Sequence, residues 1–418
     1  MSDVKGIRRT TFGTFIGTAL EQHDFAVYTH LLVVITPLCF PSDDVMSAQM
    51  KGFFAFALGF LLRPFGGLLF GHIGDRLGRK KALLVSISLM SIPTLLIGSL
   101  PGYAQVGALS GFLLYFYRAL QSISIGGELA GSGTLFAENA PLNRKYFYCS
   151  FSSVAFWVGG ILGAMSGWFF IRPFMPSWGW RLAFFFGSCI ALVGIYIRAK
   201  GAETPEFESV VKQNKILKFP FLETLKKDWR AHVCYVGMIL GAGNISSILM
   251  IYVPMIMRNN FGYSVSDCLV ITICFMSTMV ISYPLSGLLA DRIGGKKLMV
   301  LGIVFAAILM SFVHRSAELS SPFYLFLFQG LACVVFTAQV APMNVITKYM
   351  YPTERRSSGS SFGQGIGAAI GPGFAPLALT FLKHQTGSFW GPCVYVICTQ
   401  CAALLGLYFA PNFLKKTD

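Results

Sequence analysis

Apolar residues run through this chain in long blocks, and the polar residues gather between them. A block of roughly 18 or more mainly apolar residues, rising about 1.5 Å per residue, crosses a bilayer core of about 30 Å as a helix. Twelve such runs lie near residues 11–36, 49–71, 82–100, 107–137, 147–171, 180–198, 231–257, 266–289, 298–314, 322–347, 359–382 and 389–411. The pattern predicts an all-α membrane protein with twelve transmembrane helices. Residues 199–230, rich in Lys and Glu, interrupt the series. They are expected to form a cytoplasmic linker with some amphipathic helix and no chemistry. The linker would join an N-terminal six-helix half (1–198) to a C-terminal one (231–418).

Composition supports that class. A chain of 418 residues that is 54% hydrophobic and 12% charged, with a mean hydropathy of +0.63, cannot hide its apolar side chains in a water-soluble core. Its start, basic from Lys5 to Arg9 and then apolar, resembles a signal peptide. No small-residue cleavage site precedes Glu21, so the first helix is expected to be retained. The net charge of +15 reflects where the 33 Lys and Arg sit and does not point to nucleic acid. With a cytoplasmic N-terminus, most of them fall in cytoplasmic loops, which puts both termini in the cytoplasm. The ten Cys are scattered, and the pair Cys398 and Cys401 has no second pair or nearby His. No disulfide framework, metal site or cofactor is expected.

The chain repeats itself. Gly71-His72-Ile73-Gly74-Asp75-Arg76-Leu77-Gly78-Arg79-Lys80-Lys81 aligns with Gly287-Leu288-Leu289-Ala290-Asp291-Arg292-Ile293-Gly294-Gly295-Lys296-Lys297 at an offset of 216 residues. A weaker echo pairs Pro141-Leu142-Asn143-Arg144-Lys145 with Pro352-Thr353-Glu354-Arg355-Arg356. A self-match near half the chain length means two pseudo-symmetric halves related as parallel repeats. An Asp at the cytoplasmic end of a helix accepts hydrogen bonds or faces another helix's N-terminus, and the basic residues hold the loop at the lipid surface. Asp75, Arg76, Arg79, Asp291 and Arg292 are therefore expected to latch one conformation without touching substrate. Small residues recur every fourth position at Gly59, Gly67 and Gly71, at Gly159, Gly163 and Gly167, at Thr278, Ser282, Ser286 and Ala290, and at Gly359, Gly363, Gly367 and Gly371. Such ridges let backbones approach in lipid, and the halves are expected to meet along them.

Ionisable groups within the runs mark the candidate chemistry, because one Asp at the bilayer centre costs about 2.5 to 3.5 kcal/mol. Glu21 and Asp24 share a face of the first helix. They are candidate proton-coupling residues with Glu128, whose neighbours Gly126 and Gly127 equally allow a structural bond to a close-packed backbone. Arg118 lies about 18 Å into its helix, near the midplane. Its guanidinium cannot shed its charge and needs an anionic partner, either a carboxylate of the first helix or the substrate's own. Exchange between those partners would couple substrate to proton. Gln22, Asn244 and Gln339 are candidate hydrogen-bonding partners of the substrate. Arg63, on the ridge of Gly59 and Gly67, is expected to bridge helices, and His23 to be a hydrogen-bonded structural residue.

The repeated loops, with Arg118 and Gln121, resemble the major facilitator superfamily over nearly the whole chain. The runs Glu21 to Phe25, Arg63-Pro64-Phe65-Gly66-Gly67, Gly126-Gly127-Glu128, Trp178-Gly179-Trp180-Arg181 and Glu203-Thr204-Pro205-Glu206-Phe207 together resemble its metabolite:proton symporter branch. That branch includes the proline/betaine, 2-oxoglutarate, citrate and shikimate carriers of bacteria. The resemblance implies a pathway between the halves, lined by helices 1, 4, 7 and 10, with Glu21, Asp24, Arg118 and Glu128 as cavity candidates. Gln22 and His23 stand where the branch has aromatic residues, which removes a cation–π surface for a quaternary ammonium. Ser122 replaces a usual Gly, and Gly295 a usual Arg.

The reading is a proton-coupled symporter of the bacterial inner membrane that imports a small carboxylate-bearing metabolite, either a 2-oxoglutarate-like dicarboxylate or a proline- or betaine-like zwitterion. Proton-driven export and a transport-inactive sensor are the alternatives. Its partners are the substrate, the proton and the bilayer, and one chain suffices for the scheme. No nucleophile and base set or phosphate loop lies outside the membrane, so no enzyme is expected.

Overall fold

In a computed structural model, residues 2–41, 51, 54, 58–172, 174–318, 322–388 and 390–411 are described. The beginning of the second apolar run, residues 49–57, lies mostly outside them. The elements are α1 (Ser2–Cys39), α2 (Arg63–Arg76), α3 (Arg79–Gly98), α4 (Leu109–Asn139), α5 (Lys145–Phe169) and α6 (Trp180–Ala199). Two short helices, α7 (Pro205–Lys212) and α8 (Pro220–Lys227), occupy the linker. Then follow α9 (Trp229–Ser247), α10 (Val253–Phe261), α11 (Val265–Ile293), α12 (Gly295–Glu318), α13 (Pro322–Ile346), α14 (Arg356–Ile370), α15 (Ala375–Thr386) and α16 (Trp390–Tyr408).

Helices suit these runs because hydrocarbon offers no partner to a backbone N–H or C=O, so each must be satisfied within its own segment. Seven of the described helical segments are long and apolar enough to cross a membrane by length and composition. The helices α1 and α4 have the length, but their charged and polar residues lower the mean hydropathy. A turn of π-helix, Ile248–Tyr252, joins α9 to α10 ahead of Pro254, and the Leu249 carbonyl there accepts from Gln329 Nε2 at 2.9 Å. The repeated loops each need a glycine at the same place. Gly78 has φ +110° and Gly294 φ +94°, a region costly for any residue with a Cβ.

In the N-terminal bundle, α1 packs on α5 and α6, α3 on α4 and α6, and α2 on α4. In the C-terminal bundle, α9 packs on α14 and α16, α12 on α13 and α16, and α11 on α13. The bundles meet where α2 runs along α14 and α5 along α11.

The small-residue ridges divide between two tasks, which corrects the expectation that all of them join the halves. A Cβ on Gly159 or Gly163 would strike the α1 backbone at Ala19 or His23, and Gly363 and Gly367 face Tyr235 and Ile239 of α9. These ridges close each bundle on itself. The contact between bundles uses the first ridge and two glycines outside the ridges: Gly67 and Gly71 lie against Ser361 and Ser358, Gly365 against Pro64, and Gly287 against Phe147.

Candidate functional site

Two polar centres stand out, one inside the N-terminal bundle and one at the cytoplasmic end between the bundles. In the first, Arg118 on α4 is fully buried. Its guanidinium lies 3.9 Å from the Tyr28 ring centroid and 5.4 Å from that of Phe25, both on α1. It fits there because Gly59, one turn ahead of α2, has no side chain: a Cβ on it would stand 2.9 Å from Arg118 Nη2. Arg118 Nη1 donates to Gln121 Oε1 at 2.9 Å, while Nε and Nη2 have no hydrogen-bond partner among the described residues.

No described carboxylate pairs with Arg118. Asp24 points instead toward α3 and α6: its Oδ2 accepts from Thr94 Oγ1 at 2.9 Å, and its Oδ1 lies 3.1 Å from His23 Nδ1. Gly187 of α6 makes room, since a Cβ there would lie 2.2 Å from Asp24 Oδ1. His23 Nε2 reaches Ser166 Oγ on α5 at 3.0 Å, and Gln121 Nε2 donates to Thr94 Oγ1 at 2.8 Å. A continuous line of hydrogen bonds thus links Arg118, Gln121, Thr94, Asp24, His23 and Ser166 across four helices. The helix-1 carboxylate and the helix-4 guanidinium are connected, but through two neutral side chains and not as an ion pair.

Glu21 is buried, with one carboxylate oxygen unbonded among the described residues. Glu128 pairs with Arg198 at the end of α6: Arg198 Nη1 donates to Oε2 at 2.9 Å, Nη2 to Oε1, and Ser86 Oγ adds a bond of 2.6 Å. Arg198 also donates to the Leu83 carbonyl at 3.0 Å, which ties α6 to α3. Gly126 and Gly127 are not Glu128's partners; they admit Arg63 and Phe70 of α2. Arg63 donates to the Gly59 carbonyl at 2.8 Å and stacks over Phe60 and Phe25, which joins α2 to α1. Gln22 is half-buried, near Gly160 of α5. Asn244 and Gln339 are buried within the C-terminal bundle, bonded to Tyr395 and Gln400, and each leaves one amide atom unbonded. The structure therefore does not gather Gln22, Asn244 and Gln339 around Arg118.

At the cytoplasmic end, Asp75 accepts from the backbone N–H of Ser357 at 3.0 Å and of Ser358 at 2.7 Å, in the first turn of α14. A carboxylate at a helix N-terminus satisfies donors that have no intrahelical partner and opposes the helix dipole. Arg79 braces the arrangement, 3.1 Å from Asp75 and 3.3 Å from Glu138 on α4. Arg356 of α14 pairs with the same Glu138 at 3.1 Å and with Glu206 of α7. The linker is more than a tether: Glu203 accepts from the Arg79 N–H at 3.0 Å, and Thr204 Oγ1 donates to Glu138 at 2.6 Å. In the second loop, Asp291 accepts from Tyr146 N and Phe147 N of α5, both at 3.0 Å. Arg76 and Arg292 are exposed and take part in no described ion pair.

Several of these partners had no signal in the sequence. Thr94 and Ser166 are each one of several hydroxyl residues in an apolar run, and Arg198 reads as one of many basic residues at a helix end. Glu203 and Glu206 were visible only as part of a run that resembles the symporter branch.

A helical bundle of this build, with charges held inside it and acidic residues of each bundle capping helices of the other, is that of a membrane carrier. Residues 12–218 match the family described as Sugar (and other) transporter, and residues 234–417 match the Major Facilitator Superfamily. The chain is 32% identical over 386 residues to the inner membrane metabolite transport protein YhjE of Escherichia coli, covering 90% of this chain and 87% of that one. It is 29% identical over 417 residues to the proline/betaine transporter of Salmonella typhimurium, covering 96% and 82%. Among solved structures, the proton:xylose symporter XylE bound to 6-bromo-6-deoxy-D-glucose superposes with a TM-score of 0.78 at 18% identity, covering 97% and 95%, which shows the shared fold. The chain belongs to the major facilitator superfamily, in the branch that holds the proline/betaine transporters. It is an integral membrane protein, a secondary active transporter of a small organic solute, and not an enzyme.

Proposed function

We propose that this transporter imports a small metabolite bearing one carboxylate, together with protons, by alternating access between two six-helix halves (1–198 and 231–418). Both termini would face the cytoplasm of a bacterial cell, across its inner membrane. The observation that carries the reading is Arg118, a buried guanidinium whose Nε and Nη2 have no partner among the described residues and which rests on aromatic rings. A carboxylate seated there would receive two charge-assisted hydrogen bonds, a geometry that arginine provides and lysine does not. One guanidinium with free donors suits one carboxylate. With the proline/betaine transporters among the relatives, this favours a proline-like zwitterion over a 2-oxoglutarate-like dicarboxylate. Asp24 is the proposed proton carrier. Glu128, bound by Arg198 and Ser86, serves to hold α4 to α6 and α3. Asp75 and Asp291 are the proposed latches of the form closed to the cytoplasm.

The test is uptake into proteoliposomes under an imposed pH gradient, with labelled proline, betaine, 2-oxoglutarate and citrate. Proline or betaine is expected to accumulate when the outside is acidic. Arg118→Lys is expected to lower that uptake at least about 30-fold, the loss of one strong charge-assisted bond. Accumulation that survives in both Arg118→Lys and Asp24→Asn sinks the reading, and accumulation only against an outward proton flux turns it into export.

A further inference from the structure

The hydrogen bonds between Arg118 and Asp24 have a direction fixed by their chemistry. Arginine only donates, so the Gln121 oxygen faces it and the Gln121 nitrogen faces Thr94. Thr94 therefore accepts from Gln121, and its one proton has two destinations, Asp24 Oδ2 and the Met90 carbonyl, each 2.9 Å away. Other buried threonines of this chain, such as Thr134, Thr272 and Thr347, bond the carbonyl four residues back. Thr94 does so as well, and in addition bridges helices α1 and α4.

With Asp24 ionised, the Thr94 proton turns to the carboxylate. Every bond then runs donor to acceptor from guanidinium to carboxylate, and each polarises the next. With Asp24 protonated, its own O–H is given to Thr94 Oγ1, the threonine proton swings to the Met90 carbonyl, and the line reverses at that joint. The threonine hydroxyl is a two-position element whose setting follows the charge on Asp24.

Building on the proposed symport, we propose that Thr94 and Gln121 are the positioning residues that couple substrate to proton, by transmitting the occupancy of Arg118 to Asp24 and the protonation of Asp24 to Arg118. A substrate carboxylate on Nε and Nη2 shares the guanidinium charge that otherwise polarises the line. The line's hold on ionised Asp24 weakens, and a proton from the aqueous phase moves onto a carboxylate oxygen. By linkage, a proton on Asp24 favours substrate at Arg118 by the same factor. The described charged and titratable groups around Asp24 are few. His23 bonds it directly, Glu21 lies one turn away on α1, Arg118 reaches it from α4 through Gln121, and Arg63 on α2 stands beyond Phe25. From α3, α5 and α6 it faces Thr94, Ser166 through His23, and Gly187, none of them titratable.

The test uses the full chain in proteoliposomes with labelled proline, and labelled 2-oxoglutarate in a second arm. Two activities are compared: uptake driven by a pH gradient, and counterflow at equal pH, which needs no net proton movement. Thr94→Val keeps the side-chain volume without the hydroxyl, and Gln121→Met keeps the length without the amide. Each is expected to lower gradient-driven uptake about tenfold or more while counterflow stays within about threefold of wild type. The half-saturating concentration in counterflow, pH-dependent in wild type, becomes pH-independent in both, and Thr94→Ser restores it. If Thr94→Val keeps the wild-type pH dependence, or loses counterflow together with uptake, Thr94 is structural and the coupling role falls while the symport reading stands. If wild type accumulates neither solute under the gradient, the symport reading fails first and takes this proposal with it.

Discussion

The two repeated loops make the same contact and brace it differently. Asp75 and Asp291 each bind two N–H groups at the start of a helix in the other bundle. Around Asp75 the brace is ionic: Arg79, Glu138, Arg356 and Glu206 form a chain of alternating charge, buried except at its Glu206 end. At the offset of 216 residues Arg79 becomes Gly295, and in the echo that pairs Pro141 with Pro352, Glu138 becomes Tyr349 and Arg356 becomes Lys145. Lys145 Nζ donates to Tyr349 Oη at 2.8 Å, and the Tyr146 ring lies where an arginine at position 295 would extend. One contact is thus braced with charges and the other with aromatic rings. The difference matters because a buried carboxylate or guanidinium left without its partner costs several kcal/mol, whereas a tyrosine hydroxyl costs far less.

The largest effect is therefore expected at Asp75. Asp75→Asn turns an amide N–H toward the α14 N-terminus and strips one partner from Arg79, for a cost of about 3 kcal/mol or roughly a hundredfold in the population of the closed form. Asp291→Asn strands no guanidinium and should cost about 1 kcal/mol, roughly fivefold. Cysteine labelling from the cytoplasmic side, with a reporter at Ser360 between the bundles, measures both. Equal effects of the two substitutions would show that the ionic brace adds nothing.

What was legible in the sequence follows the same division. The repeat announced both aspartates, because a helix-end Asp with its Gly and basic residues is a local pattern. The interior placement of Glu21, Asp24 and Arg118 was legible too, since charge inside an apolar run has few places to go. Their partners were not. That Arg118 rests on Tyr28 and Phe25, and that Asp24 turns to Thr94, depends on helix rotation, which the glycines at 59 and 187 set by contacts with distant residues. The linker looked inert because Glu203 and Glu206 are ordinary acids until α7 folds against α4 and α14.

A second, smaller test concerns Lys348, which follows α13 and has Ala137 at its pseudo-equivalent position. It is buried, bonded to Tyr235 Oη at 3.2 Å, and lies against Gly133 of α4, with no carboxylate paired to it among the described residues. Burial pushes its ammonium down to about 7 from the usual 10.5. Between those values the closed form binds fewer protons than an open form that exposes the side chain. The closed form therefore gains as pH rises through 7 and is at its weakest below it. Cytoplasmic-side labelling at Ser360 is expected to slow by on the order of tenfold between pH 7 and pH 9, and Lys348→Met should abolish that dependence. A pH profile unchanged by the substitution would remove Lys348 from the closing step.

The smallest expected effect would make the second loop resemble the first. Gly295 opens α12 with an ordinary backbone conformation, so a side chain is tolerated there, unlike at Gly294. A cavity of about 280 Å³ adjoins it, lined in part by Tyr146, Gly294, Ile346 and Ala410. An arginine at 295 would need the Tyr146 ring to swing aside, since a Cβ there would lie 2.4 Å from it. The ring sits at the far end of a flexible side chain with that cavity beside it. Asp291 would then have a guanidinium one turn away, as Asp75 has Arg79, but position 349 offers a tyrosine in place of Glu138. A partly exposed pair with one anion contributes about 0.5 to 1 kcal/mol. Gly295→Arg is therefore expected to raise the melting temperature by a few degrees at most and to slow proton-driven uptake about twofold to threefold, through a closed form that opens less readily. Faster uptake with a lower melting temperature would mean that the Tyr146 ring over Gly295, and not the missing arginine, holds this side shut.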